Sequence, residues 1–173
     1  MPVGTRRSLL FTGCLLVLVF LASERNAGAA GGSASDSWKT VRVSAAGISV
    51  EYPRSWQLFR SDAAFSASGD QGRHLMVNVI PGVRFPSSLD EFTSKVKAGF
   101  NKDNQTGFAI LNTAAVKVNG TTGYRDDLRE ASERVGDLFI PHNGGVTAVS
   151  VQAPDDAAST RLIAHVLRSV RRI

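Results

Sequence analysis

Polar and apolar positions fall into two periods along this chain, and the switches between them mark its elements. From Ile48 the pattern alternates: Ile48, Val50 and Tyr52 share one face, Ser49 and Glu51 the other, which predicts a half-buried strand. Trp38–Ser44 alternates more weakly before it, with a turn at Ala46-Gly47. Pro53, which lacks an N–H for the ladder, stops the strand, and Arg54-Ser55-Trp56 reads as a turn. Ala64–Ser68 predicts a short strand. The run from His74 to Ile80, apolar nearly throughout, predicts a central strand ended by Pro81-Gly82.

The period then changes to that of a helix. Ser88 and Glu91 stand at N-cap and N3 of a capping box, and Leu89, Phe92, Val96 and Phe100 form one apolar stripe. Alternation resumes over Phe108–Asn119, with Val116 and Val118 on one face. Asn119-Gly120 predicts a tight hairpin, because both residues tolerate positive φ. Thr121–Leu128, Val135–Pro141 and Val146–Ala153 complete a second group of strands. Asp155 or Asp156 caps a last helix, with Ala158, Leu162, Ile163, Val166, Leu167 and Val170 on its buried side. The expected architecture is a single α+β layered domain of order ββββ-α-ββββ-α. Its sheet is mostly antiparallel and covered by two main helices. The predicted core includes Ile48, Val50, Val77, Val79, Phe92, Val96, Val118, Leu162, Val166 and Val170.

The N-terminus follows neither period. Arg6-Arg7 precede an apolar run from Leu9 to Ala22, shorter than the ~20 residues of a typical membrane-spanning helix. Ala27-Gly28-Ala29 is a small-x-small cleavage site. Residues 1–29 therefore read as a cleavable export signal, 30–37 as a flexible tether and 38–173 as the folded domain. Thr5-Arg-Arg-Ser-Leu-Leu10 also fits a twin-arginine signal, and Leu10-Phe-Thr-Gly-Cys14 a lipobox. Against the lipobox, the strongest apolar stretch follows Cys14 instead of preceding it. The expected location is periplasmic, cell-wall or extracellular, with membrane anchoring through the leader or Cys14 as the lesser alternative.

Charge changes meaning once the leader is set aside. It carries Arg6, Arg7 and Arg25 against Glu24, so the +5 of the whole chain falls to +3. Much of the basic character belongs to targeting, and nucleic acid is not an expected partner. Cys14 is the single cysteine, which excludes an internal disulfide and a cysteine-based zinc site.

The turn Ile48-Ser-Val-Glu-Tyr-Pro-Arg-Ser-Trp56 resembles the entry of the PsbP-like domains, which share their fold with the yeast Mog proteins. Three further features match in order. They are the Ser88-Leu-Asp-Glu-Phe92 helix start, the Val118-Asn-Gly-Thr-Thr-Gly-Tyr124 turn, and a closing helix ending Leu167-Arg-Ser-Val170. The resemblance spans residues 38–171 and takes in bacterial exported members similar to the DcrB and LpqN groups. It implies a binding or assembly module and carries over no catalytic residue, cofactor or metal. Tyr52, Pro53 and Trp56 match by motif and are assigned a structural role.

Candidate chemistry is sparse. His74, His142 and His165 are far apart in sequence, and no Gly-x-Ser-x-Gly elbow is present. Ser66-Ala-Ser-Gly69 reads as a loop, and Asp126-Asp127 as a solvated pair. Arg161, His165, Arg168 and Arg172 recur along the last helix. They form either a face for an anionic partner, with weak contact to a membrane surface, or a solvated face suited to the helix C-terminus. The leading expectation is an exported, monomeric, non-enzymatic module that contacts an envelope protein or small ligand. A small secreted hydrolase and a membrane-anchored accessory factor are the alternatives.

Overall fold

The computed structural model describes residues 37–60, 64–102 and 108–173. The segments read as leader and cleavage site, Cys14, and all but Ser37 of the segment read as a tether lie outside the described residues, as does the Phe100 side chain.

Two sheets and two helices make up the domain. β1 (Trp38–Val43) and β2 (Ile48–Pro53) form a hairpin across a 3-10 turn at Ser44–Ala46, with Gly47 left-handed at φ 63°. β10 (Arg171–Arg172) pairs with the other side of β2 and completes a three-stranded sheet. The larger sheet contains β3 (Gln57–Arg60), β4 (Ala64–Ser68), β5 (His74–Pro81), β6 (Phe108–Val118), β7 (Thr121–Glu130), β8 (Glu133–His142) and β9 (Gly145–Pro154). Its order is β3-β4-β5-β9-β8-β7-β6, and every pairing is antiparallel. The helices are α1 (Leu89–Lys102) and α2 (Ala157–Ser169).

This is the expected α+β domain with two helices, with two strands added. β3 follows the Pro53 turn, so five strands precede α1, and β10 follows α2. The hairpin at Asn119-Gly120 forms as the residue types demand, with φ of 47° and 81°.

Each face of the large sheet has its own apolar layer. On one, Phe65, Leu75, Val77, Leu138, Val149 and Val151 pack against β1–β2 and against Ile163, Val166 and Leu167 of α2. On the other, α1 lays Phe92 and Val96 over Tyr124 and Leu128. Of the predicted core, Val79 and Leu162 are half-buried against the first layer and the other eight are buried. Ala158, expected on the buried side of α2, is exposed, and Ser159 takes the buried place.

Both helix starts use the residues expected, with one change. The Ser88 hydroxyl accepts from the Glu91 N–H at 3.1 Å, but Glu91 returns its carboxylate to the N–H and hydroxyl of Ser87 (2.8 and 2.7 Å). The ammonium of Lys95, 2.8 Å away, and these Ser87 bonds hold the half-buried Glu91 carboxyl at about 2. At α2, Asp156 accepts from the Ser159 N–H at 2.6 Å.

Candidate functional site

The turn residues are built into the interior. Tyr52 and Trp56 are 4 % and 7 % exposed, and Pro53 is buried. Tyr52 meets Phe65 edge-on, 5.9 Å between centroids, and the Trp56 N–H donates to the Pro53 carbonyl at 3.1 Å. Gly69 lies against the indole. A methyl group there would come within 2.4 Å of Nε1, 2.7 Å of Cε2 and 2.8 Å of Cδ1.

The basic row on the last helix divides. His165 turns toward β1–β2, stacks on Trp38 with centroids 3.7 Å apart, and places Nε2 2.8 Å from Glu51 Oε2. Arg161, one turn earlier, is exposed. Arg172 lies beyond the helix in β10, its Nη1 2.6 Å from Thr121 Oγ1. Arg168 instead lines a cavity of about 150 Å³ between the end of α2 and the outer strands of the large sheet.

Strand alternation explains that cavity. Val116 and Val118 of β6, Arg125 of β7 and Leu138 of β8 all project to the face that carries α2. Leu167, Arg168, Val170 and Arg171 close the other side. Lys117 also borders the cavity, but its ammonium bonds Thr122 Oγ1 at 2.7 Å. Arg125 gives Nη2 to Asp127 Oδ1 at 2.6 Å, while its buried Nε has no acceptor. Arg171 turns Nη1 onto the carbonyls of Arg168 and Val170 (2.6 and 2.9 Å), answering carbonyls that the helix end leaves open. The Arg168 guanidinium makes no ion pair or hydrogen bond among the described residues.

A second polar group lies across the sheet on the α1 face. Asp126, expected to be solvated, is fully buried, and Asp137 opposite it is 3 % exposed. Burial pushes the Asp126 carboxyl well above the usual carboxylate range, and the Asp137 charge pushes it further. Burial also raises Asp137, to about 6, against the Ser150 hydroxyl and the Asp126 carboxyl, which lower it. Neither Asp126 oxygen meets a donor, nor does Asp137 Oδ1, so burial favours the protonated form of the pair, most strongly at Asp126. Asp127 points to the opposite face, where it meets Arg125. The alternation carried a signal for this: Asp126 stands between Tyr124 and Leu128 on one apolar row.

The third group is Ser68 and His74, partners across β4–β5 with Oγ and Nδ1 2.8 Å apart. Burial lowers the His74 pKa, which keeps the ring neutral near pH 7. Ser68 ends β4, which spans Ala64–Ser68 as the strand reading expects; the loop reading of Ser66–Gly69 holds only for Gly69. Gln152, opposite His74 on β9, directs its amide to Glu133. Among the described residues no group of three or more His, Cys, Asp or Glu is arranged to hold a metal ion. Nor is any helix there long and apolar enough to cross a membrane.

No protein-family model matches the chain, and no curated protein matches it significantly in sequence. Solved structures share its fold. The PsbP protein of the cyanobacterium Synechocystis superposes with a TM-score of 0.60 at 14% identity, over 84% of this chain and 98% of that one. The Ran-binding protein Mog1p of Saccharomyces cerevisiae does so with a TM-score of 0.56 at 12% identity, over 80% and 96%. LpqN of Mycobacterium tuberculosis, described as involved in cell envelope biogenesis, gives 0.43 at 16% identity, over 80% and 86%. The fold is therefore PsbP/Mog-like.

Proposed function

We propose that this PsbP/Mog-like domain is an exported, non-enzymatic binding or assembly module that acts at the cell envelope. The observation that carries the reading is the cavity beside α2. It joins an aliphatic floor to arginine side chains, an arrangement suited to a ligand with an apolar body and a negative charge. The use of the same fold by a protein described as Ran-binding agrees with a binding role. Export rests on the leader: Arg6-Arg7, the apolar run from Leu9 to Ala22, and Ala27-Gly28-Ala29.

The test is recovery of the protein from its own cells after brief cross-linking in the intact envelope. Intact mass should start near Ala30, and an envelope component should co-purify. A chain that keeps its initiating methionine in the cytosolic fraction would refute export. A diacylglyceryl group on Cys14 would replace the free protein by a lipoprotein, and a retained leader by a membrane-anchored accessory factor.

One observation favours the hydrolase alternative, the Ser68–His74 contact. A neutral imidazole beside a hydroxyl is the first requirement of an activated serine. Labelling of Ser68 by a fluorophosphonate, lost in Ser68→Ala, would establish that reading over the binding module.

A further inference from the structure

We propose that the cavity beside α2 binds a small organic carboxylate: one carboxylate on a compact apolar body of about benzene size. This deepens the binding-module reading and rests on it. Size and lining set the apolar part. The cavity holds about 150 Å³, and Val116, Val118, Leu138, Leu167 and Val170 supply its apolar surface. A space of about that volume has room for a benzene ring.

The polar part follows from the hydrogen-bond inventory. Arg125 is charged at any physiological pH, and Asp127 occupies only its Nη2. Its Nε–H is buried without an acceptor, a state that costs free energy until an acceptor arrives. Arg168 stands on the same cavity with its guanidinium uncommitted among the described residues. Arg171 commits its Nη1 to the helix carbonyls. Arg125, Arg168 and Arg171 bring three guanidinium groups to the cavity, and Asp127 pairs with one of them, which leaves a net positive site. A planar two-oxygen anion matches the fork geometry of arginine. The aliphatic floor disfavours a bare, strongly hydrated anion such as phosphate.

The test is titration of the purified full-length protein with 3-phenylpropionate, followed by amide NMR shifts and calorimetry. The neutral 3-phenylpropanol and inorganic phosphate are titrated in parallel. The expected result is saturable binding by the carboxylate that shifts Val116, Val118, Leu138 and Leu167, with both controls at least about tenfold weaker. Arg168→Gln, at an exposed position outside the core, should weaken binding about tenfold while thermal unfolding is unchanged. An acetylated peptide ending in Phe that binds more tightly supports the same chemistry, with a chain terminus as its source. Equal binding of the alcohol, equal binding of phosphate, no saturation by about 10 mM, or full affinity in Arg168→Gln would each overturn the proposal. None of these outcomes bears on export or on the envelope cross-link, so the two readings fail separately.

Discussion

Replacing Gly69 by alanine probes how the Tyr52-Pro53-Trp56 turn is held. Gly69 does not need positive φ, so its backbone accepts alanine, and loss of glycine freedom in the unfolded chain favours the variant by about 0.4–1 kcal/mol. Against that stands the indole. The added methyl would lie 2.4–2.8 Å from three atoms of a rigid ring, all below any normal carbon contact. Trp56 is 7 % exposed and cannot simply swing into solvent, so either the ring or the loop between β4 and β5 must shift. Overpacking of this kind costs about 1–3 kcal/mol. The expected net loss is about 1–2 kcal/mol. The assay is urea unfolding at 25 °C of wild type, Gly69→Ala, Trp56→Leu and the double variant. Trp56→Leu alone loses buried indole and falls in the range of about 2–5 kcal/mol. In that background the methyl has room, so Gly69→Ala should become neutral or mildly stabilising. The coupling between the sites should be at least about 1 kcal/mol. A Gly69→Ala penalty of the same size with and without the indole would refute the steric argument, and with it the claim that the turn is architectural.

Phe92 anchors α1 against Tyr124 and Phe139, with centroids 5.3 and 5.5 Å away, so Phe92→Ala should lose about 3–5 kcal/mol in the same assay; a loss under about 1 kcal/mol would mean that α1 packs loosely. The buried carboxyl pair gives a pH signature. Both groups have raised values in the folded state, so their contribution is fully present below the unfolded value near 3.8. It is lost as pH rises through about 6 for Asp137, and higher still for Asp126. Asp126→Asn keeps a donor toward Asp137 and removes one ionisable group. It should match wild type near pH 4 and exceed it at pH 7.5; a variant less stable than wild type at pH 7.5 would show that Asp126 is a satisfied carboxylate.

Local chemistry made much of this architecture legible. Ser88, Asp156, Asn119-Gly120 and Pro53 each act through groups within a few residues, and each does what its residue type dictates. β3 escaped because Gln57-Leu-Phe-Arg60 forms a sheet edge with only Leu58 half-buried, which leaves no alternation to read. β6 carries a bulge at Leu111, so the faces of Phe108 and Ile110 fall out of step with those of Asn112 onward. Asp126 shows the limit of residue type as a guide. A carboxylate suggests solvent, but its neighbours two positions away, Tyr124 and Leu128, place it under α1. The cavity draws on β6, β7, β8 and α2, and only tertiary packing joins them. Of the basic row, only Arg168 reaches it.

The small sheet joins the two ends of the domain. The Ile173 N–H donates to the Gly47 carbonyl, the Glu51 N–H to Ser169 Oγ, and β10 pairs with β2. These contacts link residues separated by more than a hundred positions, the most expensive kind to form early in a folding reaction. The first hairpin to leave a ribosome or a translocation channel is thus the last to find its partner. β2 lacks its β10 neighbour, and the apolar layer under β1–β2 lacks its α2 side, until segment 163–173 arrives. Contacts of such long sequence separation slow folding, and the open edge of β2 is the surface left exposed meanwhile.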